Sequence, residues 1–173
     1  MKLSQIPLSA PGWKPANPLE SFKHFAQFIH EQAKEMLLRD KTHAEMFFFM
    51  PLDGNGHLVL WQEADRELQA DWLRKHIHDH YSYGVVHVCE AWAHFAKRPN
   101  EHTLKQLQAG EMKVSELRPE DRTEALMVSA QSRDGFALVW MDEILRNNVD
   151  GRLWLGECRE FEDFTGRFGK LFG

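Results

Sequence analysis

Apolar residues recur at three- and four-residue spacing through Phe22, Phe25, Ala26, Ile29, Ala33, Met36 and Leu37, which predicts a helix over about 18–39 with one buried stripe. Asn17, Pro18 and Glu20 mark its start as a cap, a first residue with preset φ, and an early carboxylate. Two β-rich runs, 44–52 and 57–62, flank Asp53-Gly54-Asn55-Gly56 and predict a hairpin. The triple Phe47-Phe48-Phe49 predicts that its first strand is buried on both faces. Leu68, Trp72, Leu73, Ile77 and Tyr81 mark a second helix over about 65–82, capped by Asp65 and stopped at Gly84.

Residues 85–95 read as a central strand, and the polar stretch 97–118 holds a short helix at 101–109. Strands follow at 124–131 and 136–145, joined at Arg133-Asp134-Gly135, and at 153–158 after Asn147–Gly151. Pro7, Pro11 and Pro15 predict an extended, irregular arm over 1–17, pinned by Ile6 and Trp13. The tail 159–173 spaces Phe161, Phe164, Phe168 and Phe172 as a short helix docked on the domain by its rings and weakened by Gly166 and Gly169. Residues 18–158 then form one domain.

This order predicts an α+β fold with a single, mostly antiparallel sheet of about six strands. It comprises a hairpin, a crossover helix, a central strand and a three-strand meander, with the helices packed on one face. The crossover permits one parallel strand pair.

A length of 173 residues suits one domain. The net charge of −5 disfavours nucleic acid as a partner, despite Arg66, Arg74, Lys75, Lys97 and Arg98. Cys89 and Cys158 lie in no CxxC pair and read as reduced thiols of a cytoplasmic protein. No apolar run reaches the roughly 18 residues of a membrane helix, and the N-terminus lacks a signal-peptide core.

The densest chemistry lies in His76-Ile77-His78-Asp79-His80. On a helix His76 and His80 share a face, while His78 points about 200° away from His76. His76 and His80 are therefore the candidate metal pair, with a third ligand required from elsewhere and a divalent ion such as zinc as the cofactor. The favoured reading of the same residues is a helix C-terminal turn where partial positive charge is favourable, with no cofactor; the metal pair is its alternative. The spacing departs from the HxHxDH and JAMM hydrolase patterns, and His30-Glu31 is followed by Lys34 where HExxH needs His.

Glu90 is the candidate general base. Alternation places it with Val86, Val88 and Trp92, and a carboxylate there needs an Arg partner such as Arg122 or Arg118, or a catalytic role near His76 or His80. A nucleophilic pair of Cys89 with His87 is disfavoured, because residues two apart on one strand face project in parallel about 6.6 Å apart.

The run Val88-Cys89-Glu90-Ala91-Trp92, followed by Pro119, Arg122 and Glu124-Ala125-Leu126-Met127-Val128-Ser129-Ala130, resembles a pattern of small uncharacterised bacterial and phage proteins. Those carry a SEAW strand and then an EALMVSA strand; Cys89 here replaces the Ser. The resemblance covers about residues 44–158 and implies a shared α+β fold without a particular activity. It adds Trp92 and Arg122 to Glu90 as candidate site residues. The expected function is an accessory protein acting by binding, as a homodimer or with a protein partner and away from membranes. The alternative is a metal-dependent hydrolase using the His pair and the buried Glu.

Overall fold

The computed structural model describes residues 5–61, 66–93, 102, 105–106, 111–112, 114–163 and 168–172. Its elements are β1 (Gln5–Ser9), α1 (Pro18–Asp40), β2 (Met46–Met50), β3 (Asn55–Leu60), α2 (Arg66–Asp79), β4 (Gly84–Ala93), β5 (Thr123–Ser132), β6 (Ala137–Arg146) and β7 (Leu153–Glu162). The Asp65 cap, the strand end at Phe95, most of the expected helix at 101–109 and Phe164 lie outside the described residues.

The expected α+β class holds: among the described residues seven strands lie in the order β1-β3-β2-β4-β5-β6-β7, with every pairing antiparallel. α2 is the crossover between β3 and β4. These two strands run in the same direction, but β2 lies between them, so no parallel pair forms.

The seventh strand comes from the N-terminal arm. Gln5–Ser9 pairs with β3, and Pro7 is tolerated because β1 is an edge strand. Ile6 stays exposed, and Trp13 anchors the arm by donating its indole N–H to the Leu52 carbonyl at 2.9 Å. The Trp13 ring lies over Gly54, whose φ of 79° forms the hairpin turn and whose added Cβ would meet that ring at 2.4 Å.

α1 and α2 cover opposite faces of the sheet, not one face. Phe22, Phe25, Ile29 and Leu37 of α1 pack on Met50, Val86, Val88, Leu126 and Val128. Leu73 and Ile77 of α2, with Phe168 and Leu171 of the tail, pack on Phe47, Phe49, Val59 and Val85. The physical reason lies in β2 and β4. Phe47-Phe48-Phe49 and Val85-Val86 are apolar on consecutive positions, so both faces of the sheet need cover. Burying each such ring stabilises the fold by roughly 1.5–3 kcal/mol. No helix among the described residues is long and apolar enough to cross a membrane.

Candidate metal centre

The end of α2 is set by a Schellman-type turn. The Ser82 N–H bonds to the Ile77 carbonyl at 3.0 Å, and Tyr81 takes the left-handed conformation with φ 49°. The stop is therefore Tyr81, while Gly84 opens β4, where an added Cβ would meet the Phe22 ring at 2.4 Å. This turn leaves His76 in the last helical turn and His80 at the cap, with ring centroids 4.1 Å apart.

The third imidazole comes from β3. His57 pairs with Phe49 in register, stacks on its ring, and projects to the α2 side of the sheet. His57 Nε2 and His76 Nε2 are 2.6 Å apart, so one N–H donates to the other ring's lone pair. One potential ligand atom from each of His57, His76 and His80 lies within 4.8 Å of the others. His76 is buried between Phe49 and Trp72, His57 is half-buried, and His80 is exposed. The cluster therefore opens to solvent on one side.

Burial, with the neighbouring His80 and His57 charges, pushes the His76 pKa down to about 4. Burial and the His80 charge also lower that of His57. Both rings are thus neutral at physiological pH and offer lone pairs, as metal ligands must. Two nitrogens on one tetrahedral ion, each about 2.0–2.1 Å from it, stand about 3.3 Å apart, so the His57–His76 pair must open by less than an ångström. The nearby Asp79 carboxylate is engaged by Lys75. His78 is exposed and points away, as its helical position requires.

Glu90 is on the opposite face of the sheet, with Val86 and Val88 on the α1 side. It meets neither His76 nor His80. Its carboxylate accepts from Arg146 at 3.0 Å and from the His43 backbone N–H. Arg146, not Arg122 or Arg118, is the partner. It also donates to Glu124 at 2.7 and 3.0 Å and to the Lys41 carbonyl at 2.7 Å, tying β4, β5 and β6 to the end of α1. Arg122 lies over the Trp92 ring at 4.5 Å. Both line an open cleft of about 440 Å³ with Glu124 and Arg146.

Two further clusters escaped sequence reasoning. On the α1 side His30 meets Asp142 at 2.5 Å, both buried, with His30 stacked on Trp140. Burial and Asp142 push the adjacent Cys158 thiol up to about 12, which suppresses its reactivity. On the α2 side His87 Nε2 meets Glu45 at 2.8 Å, and Cys89 lies beside them. The parallel-projection argument against Cys89 and His87 thus gives way, because the His87 ring lies flat on Phe47 beneath Phe168. His57 was likewise missed as a candidate ligand, since nothing local in the hairpin distinguishes it from an ordinary strand residue.

Fold and cluster together define an α+β protein with an open three-histidine centre. No family model, curated protein or solved structure matches the chain.

Proposed function

We propose that the protein acts by binding a divalent transition-metal ion, zinc-like in preference, through His57, His76 and His80. The convergence of these three imidazoles from β3 and α2 carries the reading. Three imidazole nitrogens with a solvent-facing side suit a four-coordinate ion that keeps one exchangeable position. Among the described residues no free carboxylate stands at the cluster, and Glu90 is held by Arg146 on the other face. That arrangement supports binding over the hydrolase alternative, which needs a base beside the metal-bound water.

The test uses protein purified without a histidine tag, titrated with Zn²⁺ by calorimetry and with Co²⁺ by visible absorption. One equivalent should bind, with the intense visible bands of four-coordinate Co²⁺. His57→Ala, His76→Ala and His80→Ala should each weaken binding at least about tenfold, given the loss of one of three ligands. His78→Ala should leave it unchanged. Absence of uptake, or equal sensitivity to His78→Ala, would overturn the proposal.

A further inference from the structure

The α2 face of the sheet carries a second group of potential ligands, away from the histidine centre and of different chemical character. Strand register sets it out. Cys89 of β4 pairs with Met127 of β5, and Met127 pairs with Met141 of β6, so one thiol and two thioethers form a row across three neighbouring strands. His87 stands two residues before Cys89 on the same face. Cys89 and Met127 are buried together with Val139, and Met141 packs against them.

His87 is the unusual member. It is 1% exposed, its Nε2 is held by Glu45 at 2.8 Å, and its Nδ1 makes no well-formed hydrogen bond among the described residues, with the Cys89 thiol as its polar neighbour. A buried polar nitrogen left unpaired costs roughly 1–3 kcal/mol and calls for an explanation. The Cys89 sulfur lies within 4.8 Å of a His87 ring nitrogen and of a Glu45 carboxylate oxygen. A metal between a sulfur at about 2.3 Å and a nitrogen at about 2.0 Å spans at most about 4.3 Å, so the group already stands near liganding distance. A carboxylate on the far nitrogen of the imidazole is the usual support for a metal-bound histidine, because it fixes the ring and its tautomer.

We propose that Cys89, His87 through Nδ1, and Met127 form a second metal site, selective for a soft monovalent cation such as Cu(I), with Glu45 holding the imidazole from behind. Ligand type decides the metal. Thiolate, thioether and imidazole in apolar surroundings favour Cu(I), whereas a thioether contributes little to zinc or magnesium. On binding, the Nδ1 lone pair and the Cys89 thiolate take the cation, and the thiol proton, with any proton on Nδ1, passes to solvent. An apolar cavity of about 250 Å³, lined by Ala91, Met127, Met141 and Phe161, adjoins the row.

The test uses the reduced full chain in a Cys158→Ser, His80→Ala background, which removes the exposed thiol and opens the histidine centre. Cu(I) is titrated anaerobically against a coloured Cu(I) chelator. One equivalent should resist the chelator and show ultraviolet thiolate-to-copper absorption. Cys89→Ser should weaken binding at least a hundredfold. Met127→Leu, which swaps the thioether for a side chain of nearly the same shape, should weaken it about tenfold with the fold intact by circular dichroism. Full retention of Cu(I) by the Met127→Leu or Cys89→Ser protein would overturn the proposal. So would failure of the parent protein to hold Cu(I), or its displacement by an equal concentration of Zn²⁺.

Discussion

Tyr81 shows how single residues shape the centre. Its left-handed φ of 49° is a conformation that disfavours side chains with a Cβ, yet it lets the chain turn sharply after His80. Tyr81→Gly should raise stability by about 1 kcal/mol in urea denaturation, because glycine relieves that strain. His76 sets a pH dependence of its own. In the unfolded chain it protonates near 6.5, whereas in the folded chain it does so only near 4. The unfolded state therefore gains the proton first, and metal-free stability should fall as pH drops from about 6.5 to 4. Thermal melts across pH of the metal-free protein should show this fall, and His76→Leu should show a flatter profile across that window; an unchanged profile would refute the assignment.

Among the elements, those whose pattern is local were legible. The α1 stripe, the Asp-Gly hairpin, and the alternation that puts Val86, Val88 and Glu90 on one side of β4 all follow from spacing along one segment. His76 and His80 were legible for the same reason, four residues apart on α2. What stayed hidden depends on meetings between segments distant in sequence. His57 becomes a candidate ligand only because β3 lies beneath α2, and Arg146 finds Glu90 across 56 residues. β1 stayed hidden because three prolines mask a five-residue edge strand. Arg146 is the clearest test at this scale. Arg146→Ala leaves Glu90 and Glu124 facing each other without a cation and should cost roughly 2 kcal/mol. The Arg146 guanidinium holds the Glu124 carboxyl below its usual range, so that contribution is present above about pH 4.5 and fades as pH falls below it. Glu124→Gln should remove this acid-sensitive part of the stability curve.

At the scale of the whole molecule, the sheet separates structure from chemistry. Its α1 side carries the Arg146 hub and the His30–Asp142 pair, and its α2 side carries both candidate metal sites. A metal bound only by the folded chain stabilises it by mass action. At about a hundredfold excess over its dissociation constant, Zn²⁺ should add about 2.7 kcal/mol and raise Tm by roughly 5–10 °C, with EDTA reversing the shift.

The stack of Trp72 on His76, with ring centroids 4.4 Å apart and Trp61 5.1 Å beyond, has a practical optical result. An open-shell ion such as Cu²⁺ or Ni²⁺ at the histidine centre would sit within van der Waals range of one indole and one ring removed from another. Intrinsic fluorescence should therefore dim on loading, and Trp72→Phe should abolish most of that dimming. The chain carries its own dye, and occupancy can be followed by light alone.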